Sequence, residues 1–470
     1  MSKAHFGMIG LGTMGRNFLL NVGEQGISGV GYDLDAGKRS LLLQEGAGMP
    51  VDVGETLADF LSKLESPRNI MLLVPAGPIV DSVITELVPL LDDDDLIIDG
   101  GNSHFTDTER REAELSAKGI GFMGIGVSGG EEGARHGASI MPGGQRKHYD
   151  RIEKTLQAVS AKVGGEPCVA YMGASSAGHF VKMVHNGIEY GMMQLLAETY
   201  DFMQHSLRME STEMHRTFSE WNSGELGSFL VEITAEVLRK TDAETGKPLV
   251  SMILDTAGQK GTGKWTSQAA MDFGVPIPTI DIAVTMRQIS ARKALRTVLA
   301  TDYQGMRTSS DASRSRTSVS ELKDALLCAF ILTYAQGMAM LQAASIEKNY
   351  GLDLAEIARI WRGGCIIRSK LLETIRQAYS ADPNLENLMH NSAFANILKT
   401  RSAALRKAVV AYNESGTPAA CFSSALSYFD AFRTERLPAN LIQAQRDYFG
   451  VHTYQRIDKE GIFHTPDWEV

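Results

Sequence analysis

At 470 residues the chain is long enough for about three domains at the usual size of roughly 150 residues each. Its hydrophobic fraction of 43% and charged fraction of 22% are those of a soluble globular protein. The net charge of -10 argues against nucleic acid as a general partner but leaves a small anionic substrate open, because a few local Arg and Lys residues can outweigh the global sign.

In chain order, residues 6–9, 29–32, 70–74 and 96–98 are short apolar runs that read as buried strands. Residues 14–25, 79–91 and 108–118 between them have helical spacing. This alternation predicts a doubly wound, Rossmann-like α/β domain with a parallel sheet over residues 1–177, closed by a last short run at 167–173. The acids Asp92 to Asp95 read as a solvated turn without function.

From Gly178 strand signals almost vanish, and an all-helical domain is expected over residues 178–437. The longest apolar stretch, residues 326–344, contains Thr333, Tyr334, Gln336 and Gln342 and reads as a helix buried inside the protein rather than a membrane span. A shift of 140 residues lays Trp221, Gly224 and Pro278 on Trp361, Gly364 and Pro418. Each Trp–Gly pair is expected near the start of a helix and each proline before another, which predicts a duplicated helical unit. The tail, residues 438–470, is polar and turn-rich, a composition that normally frays, yet it carries Arg446, Tyr448, His452 and Tyr454. The cysteines Cys168, Cys328, Cys365 and Cys421 are far apart, form no metal-type or redox-type pair and fit a reducing compartment. With no targeting pattern in the first ten residues, the reading is a cytoplasmic protein without a metal centre.

The turn Gly10-Leu11-Gly12-Thr13-Met14-Gly15 follows the first strand and opens the first helix. There, backbone amides can approach a pyrophosphate, and the helix amino terminus favours negative charge. Asp33 ends the second strand about 20 residues on, where a carboxylate accepts hydrogen bonds from a ribose 2′-hydroxyl. Asp33 and Asp35, with Leu34 between them, would repel a 2′-phosphate, although Lys38 and Arg39 lie close enough to offset part of that charge. The cofactor is read as NAD or NADP, with NAD preferred.

The densest chemistry lies between Gly178 and Tyr190. On a helix, Lys182, His185, Asn186 and Glu189 fall at i, i+3, i+4 and i+7 and share one face, while Val181, Val184 and Ile188 form an apolar stripe. An ordinary solvated face seldom concentrates these four polar types beside such a stripe. With this helix stand Asp99-Gly100-Gly101-Asn102-Ser103, the run from Gly126 to Arg135, Gln259 to Thr266, and Gln445 to Gly450.

On these segments, over essentially the whole chain, the sequence resembles the long-chain 6-phosphogluconate dehydrogenases. The resemblance implies Lys182 as general base and Glu189 as the acid that protonates carbon 1 of the enediol intermediate. It places substrate near Asn102, Ser128, Gly129, Gly130, His185, Asn186 and Tyr190, and its phosphate near Tyr190, Lys260, Thr262 and Arg287. Arg446 and His452 would arrive from the tail of a second subunit, making the enzyme a homodimer with exchanged tails. Cofactor contacts are implied for Gly10 to Gly15, Asp33, Leu34, Asp35, Val74, Pro75, Ala76 and Asn102. The chain departs from the family twice. Asp33-Leu34-Asp35 stands where many members have Asn-Arg-Thr, and Val74-Pro75-Ala76-Gly77 replaces a common Val-Lys-Ala-Gly.

Three other readings compete with this one. A hydroxy-acid dehydrogenase acting on another sugar acid would need a different phosphate set. A nucleotide-sugar dehydrogenase needs a nucleophilic cysteine in a glycine-rich context, which the sequence lacks. A non-catalytic NAD-binding regulator would not need to retain Lys182 and Glu189.

Overall fold

The computed structural model describes residues 3–304 and 317–468; the outermost residues of the first and third expected domains lie outside the described residues. Strands β1 (Phe6–Ile9), β2 (Gly29–Tyr32), β3 (Val51–Val53), β4 (Asn69–Leu72), β5 (Leu96–Asp99), β6 (Gly121–Ser128) and β7 (Ser139–Gly144) form a seven-stranded sheet. Its order is β3-β2-β1-β4-β5-β6-β7. The pairs from β3 to β6 are parallel, and β7 returns antiparallel to β6. The expected parallel sheet therefore carries one antiparallel edge strand.

Helices α1 (Thr13–Glu24), α2 (Ala36–Glu45), α3 (Leu57–Ser62), α4 (Pro78–Leu87), α5 (Phe105–Ser116), α6 (Gly130–His136) and α7 (Arg146–Val159) cover the sheet. Side chains alternate across a strand, so each face feeds its own core. In β5, Leu96 and Ile98 enter one apolar cluster and Ile97 the other. Both faces being covered, these strands are apolar throughout.

The expected closing run near 167–173 is a short hairpin, β8 (Lys162–Val163) with β9 (Glu166–Pro167), followed by single bridges from Val169 to Ile140 and Gly173 to Gly143. The acidic turn also differs from expectation. Asp92, Asp93 and Asp94 are exposed, but Asp95 is buried, where it accepts from the Arg68 backbone N–H and pairs with its guanidinium at 2.6 Å.

The rest of the described chain is helical: α8 (Ala177–His205), α9 (Ser211–Ser223), α10 (Phe229–Arg239), α11 (Leu249–Met252), α12 (Thr262–Asp272), α13 (Pro278–Ser290), α14 (Lys293–Asp302), α15 (Val319–Glu347), α16 (Leu354–Ile360), α17 (Leu371–Ala381), α18 (Ser392–Ser415), α19 (Ala420–Phe432) and α20 (Ala439–Gly450). α15 opens on a capping box, Ser318 with Glu321, and is long and apolar enough to cross a membrane. Yet 89% of its most apolar window is buried inside the protein, as a core helix requires.

Three helix lengths recur in order along this domain, although α9 and α16 (13 and 7 residues) and α12 and α18 (11 and 24) differ. α8 and α15 each have 29 residues, α10 and α17 each 11, and α13 and α19 each 13. The two halves of the domain meet where Ser228 bridges Ser369 and the Phe229 N–H donates to the Arg368 carbonyl. Pro278 opens α13 and Pro418 precedes α19, as expected. The Trp–Gly pairs, in contrast, sit at helix ends: Trp221 and Gly224 close α9, and Trp361 caps the end of α16. Glycine is a terminator of helices, so the end is its natural place.

The tail is more ordered than its composition predicts. α20 exposes Leu441, Ile442, Tyr448 and Phe449, and its one buried side chain is Asp447. That carboxylate accepts from the N–H groups of Thr453 and Thr465, from the Trp468 indole and from His464. One buried acceptor thus folds the tail onto itself.

Candidate active site

The segments expected to touch the cofactor collect at the carboxyl ends of the parallel strands, where the strand order reverses between β1 and β4. Such switch points are where open α/β sheets bind ligands. Gly10 has φ +94°, and a Cβ there would lie 2.5 Å from the Leu73 carbonyl oxygen. A Cβ on Gly15 would overlap the Gly10 carbonyl, while one on Gly12 would meet nothing within 4 Å. Gly12 caps α1 without any side-chain hydrogen bond. Amide donors at that helix end therefore face open space, a cradle that fits a pyrophosphate.

Asp33 is fixed beside this turn. It accepts from the Leu11 N–H at 2.8 Å and the Asp35 N–H at 3.0 Å, and Lys38 approaches to 3.3 Å. Burial alone would raise its pKa, but these N–H donors and the ammonium hold the carboxyl below its ordinary value. It is an ionised acceptor, as a ribose hydroxyl requires. Leu34 is 84% exposed, and Asp35 is spent on capping α2. Arg39 is committed elsewhere, to the Asp33 carbonyl and to Glu55. Pro75 and Ala76 are exposed and Val74 half-buried in the turn after β4, packed beside Gly10.

α8 docks through missing side chains. In β6, Gly124 and Gly126 lie two apart, so both face the same way. A Cβ on Gly124 would sit 2.7 Å from the His179 ring, and one on Gly126 would overlap Lys182 Cβ. α8 can therefore lie directly on the strand. Three glycines in eight residues also explain why β6 carries no strand signal in the sequence.

This docking buries the polar face of α8. Lys182 is 6% exposed and His185 fully buried, and Asn186 and Tyr190 are buried as well. The His185 ring is held on several sides. Nε2 lies 3.3 Å from Ser128 Oγ, and Nδ1 lies 3.4 Å from Lys182 Nζ and 3.2 Å from Asn186 Oδ1. Trp361 stacks edge-on against it, 5.5 Å between ring centres. Glu189 Oε2 stands 4.0 Å from the same Nδ1, with its side chain 20% exposed at the mouth of the cluster.

Burial, the largest effect on each group, sets the protonation states. It lowers the Lys182 pKa from the ordinary lysine value, partly opposed by Glu189 and the Cys365 thiol. It pushes His185 well below its ordinary value, reinforced by Lys182, so the imidazole is neutral. It raises Glu189, partly opposed by Lys182 and Arg287. The helix thus holds a lysine disposed to lose its proton and a carboxyl disposed to keep one, the pairing that acid–base catalysis needs.

Next to this cluster, the Arg287 guanidinium lies 3.4 Å over the Tyr190 ring and donates to the Gly258 carbonyl. α12 begins beside them behind left-handed Gly261. Thr262 is buried, and a Cβ on Gly263 would lie 2.5 Å from the Tyr190 ring. Lys260 is exposed on the loop before α12. Gly129 packs against the Gly364 carbonyl, while Gly130 faces open space. Asn102 is exposed between Gly101 and Ser103, and the neighbouring His104 stacks edge-on with Trp265 of α12. Arg446 and His452 do not join the cluster. They stay within the exposed tail, Arg446 on Gln443 and His452 against Phe449.

Sequence reasoning missed Trp361 and Cys365, which wall the cluster from the second helical copy. The Trp–Gly repeat signalled their position but not their neighbours. Among the described residues, no group of three His, Cys, Asp or Glu side chains is arranged to hold a metal ion.

Known proteins match this chain in sequence and fold. Residues 5–173 match the family described as "NAD binding domain of 6-phosphogluconate dehydrogenase", and residues 178–468 match "6-phosphogluconate dehydrogenase, C-terminal domain". The chain is 50% identical over 468 residues to the Bacillus subtilis "6-phosphogluconate dehydrogenase, NADP(+)-dependent, decarboxylating", covering 100% of both chains. It is 46% identical over 469 residues to the Escherichia coli "6-phosphogluconate dehydrogenase, decarboxylating", again covering 100% of both. Its structure is similar to that of Plasmodium falciparum 6-phosphogluconate dehydrogenase, solved in apo form and in complex with NADP+ and with 6-phosphogluconate. The TM-score is 0.94 at 41% identity, over 98% of this chain and 100% of that one.

Proposed function

The chain belongs to the 6-phosphogluconate dehydrogenase family, and from that premise we propose Lys182 and Glu189 as the acid–base pair of its active site. The protein is an oxidoreductase of the pentose phosphate pathway. It catalyses the oxidative decarboxylation of 6-phosphogluconate to ribulose 5-phosphate and carbon dioxide with reduction of NAD(P).

The dinucleotide, when bound, supplies the acceptor for the hydride that leaves carbon 3 of the substrate. Neutral Lys182 takes the proton from the 3-hydroxyl as the hydride departs. The resulting 3-keto acid loses carbon dioxide, and the electrons of the broken carbon–carbon bond pass to the ketone. Protonated Lys182 donates to that ketone oxygen, giving an enediol. Glu189 then protonates carbon 1 of the enediol while Lys182, neutral again, takes the proton of the enol hydroxyl, giving the ketone of the product. The observation that carries this assignment is one helical face holding a buried, deprotonation-prone lysine and a proton-retaining carboxyl around a neutral imidazole.

Asn102, Ser128, Gly129, Gly130, His185, Asn186 and Tyr190 are proposed to hold the sugar acid, and Lys260, Thr262 and Arg287 its phosphate. Arg suits that task because its planar fork binds phosphate oxygens in pairs. Gly10 to Gly15 would hold the pyrophosphate and Asp33 to Asp35 the adenosine ribose, with NAD preferred. The NADP in the names of the Bacillus and Plasmodium relatives belongs to those proteins.

Two observations support a homodimer with exchanged tails. Arg446 and His452 are exposed and far from burial in their own chain. The apolar residues Leu441, Ile442 and Phe449 of α20, and Leu295, Val298 and Leu299 of α14, are also exposed, side chains that a partner subunit could cover. The proposed location is the cytoplasm. The test is an assay of 6-phosphogluconate oxidation with NAD and NADP, following carbon dioxide, on wild type and Lys182→Met. Turnover that survives the substitution would remove Lys182 from the base role.

A further inference from the structure

Arg111, on α5, is 1% exposed, yet it touches neither the cofactor turn at Gly10 nor the Lys182 cluster. A guanidinium has five N–H donors in a rigid fork, and here the whole fork is engaged. Nε donates to Asp81 Oδ1 at 2.8 Å. Nη1 reaches Asp99 Oδ2 and Ser103 Oγ, each at 3.3 Å. Nη2 donates to the Gly77 carbonyl at 3.0 Å and to Asp81 Oδ2 at 3.1 Å. These partners come from two different turns. Gly77 closes the turn after β4 that carries Val74, Pro75 and Ala76, with Asp81 in the first turn of α4. Asp99 and Ser103 bracket the turn after β5 that presents Asn102.

The two turns already lie side by side, since a Cβ on Gly101 would be 3.3 Å from the Val74 carbonyl oxygen. Asp99 grips its own turn at both ends, accepting from the Gly101 N–H at 3.0 Å and from Ser103 Oγ at 2.6 Å. Asn102 is thereby pinned on each side while its side chain faces open space. The Arg111 guanidinium beside Asp81, helped by Arg110, holds that carboxyl down at about 2. Burying a cation is costly unless its partners are fixed, so this fork and the two turns constrain one another.

We propose that Arg111 is a positioning residue that locks the cofactor-side turn 74–77 to the substrate-side turn 99–103, so that dinucleotide and sugar acid meet in one geometry. The inference rests on the ligand assignments proposed above for Val74, Pro75, Ala76 and Asn102. Hydride transfer needs its reacting atoms held close, and a displacement of about 1 Å can cost about a hundredfold in rate. Lysine cannot replace this arginine. Its donors radiate from a single nitrogen, which cannot reach Gly77, Asp81 and Asp99 together.

The test compares wild type, Arg111→Lys and Arg110→Lys. Arg110 also pairs with Asp81 but touches neither turn, so it controls for loss of a guanidinium beside Asp81 on the same helix. Arg111→Lys is expected to lower kcat for 6-phosphogluconate oxidation about tenfold or more, and Arg110→Lys to stay within about twofold of wild type. A second readout is the factor by which ribulose 5-phosphate changes the Kd of the reduced dinucleotide. That coupling is expected to fall to about one in Arg111→Lys, an effect that lost stability alone would not produce. A wild type that fails to oxidise 6-phosphogluconate sinks the functional reading. A working wild type matched by Arg111→Lys in kcat and coupling overturns the clamp alone. If Arg111→Lys does not fold, Ser103→Ala removes one arm without removing the charge. A rate loss of about threefold or more at unchanged Tm then supports the clamp, and an unchanged rate overturns it.

Discussion

Replacing Asp33-Leu34-Asp35 by Asn-Arg-Thr should convert a preference for NAD into one for NADP. In the wild type, a 2′-phosphate would sit beside the Asp33 carboxylate, which is held ionised by the Leu11 and Asp35 N–H groups. Two unit charges about 4 Å apart interact by about 4 kcal/mol at an effective dielectric near 20. Lys38, 3.3 Å from Asp33, cancels much of that repulsion. Arg39 adds little, because it is tied to the Asp33 carbonyl and Glu55. Asp35 contributes a second, more screened negative charge from the exposed start of α2. A net penalty of about 1–3 kcal/mol against the phosphate remains, equal to a preference of about fivefold to 150-fold. In the triple variant, Leu34→Arg would put a guanidinium in the open position of the leucine, within reach of the phosphate. Asp35→Thr would keep a capping hydroxyl for α2. The assay is the ratio of kcat/KM for the two dinucleotides in both proteins. A wild type that favours NADP, or a variant whose ratio does not move towards NADP, refutes this reasoning.

Further outcomes follow from the cluster and the tail. Lys182→Met should lower turnover by about a hundredfold or more, with the dinucleotide Kd nearly unchanged, and loss of less than about tenfold would point to another base. Burial draws the Lys182 pKa down and the Glu189 pKa up, so the reactive pair holds one proton over an intermediate pH range. Acid adds a second proton, charging Lys182, and alkali removes the last one, so the rate should fall on both sides. In Glu189→Gln only the lysine titrates. Hydride transfer, read in a single turnover, should then rise with pH through the lowered Lys182 pKa and stay high; a surviving alkaline fall would assign that limb elsewhere. Deleting the residues after Leu437 should raise the KM for 6-phosphogluconate sharply or abolish activity, with sedimentation reporting loss of the dimer. A fully active truncated monomer would end the tail-exchange proposal.

The sequence displayed what depends on local pattern and hid what depends on approach. β1 was legible to the residue, because a strand buried on both faces is a plain apolar run. β6 was illegible for the opposite reason: its glycines weaken every strand preference, and their value appears only when α8 lies across them. The same asymmetry runs through the site. Lys182, His185, Asn186 and Glu189 announce a shared face by spacing alone. Their protonation states do not follow from spacing, since they come from burial against Gly126 and from the Trp361 wall, which is 179 positions away in a second helical copy. Arg111 carries the point furthest. In sequence it is one arginine in a charged helix, next to a twin at Arg110 that faces solvent. Only the turn of α5 that aims it inward, under two loops from different strands, separates a surface ion pair from a guanidinium on which the geometry of hydride transfer depends. Charge in this chain acquires its role from what closes over it, and glycine decides where closing is possible.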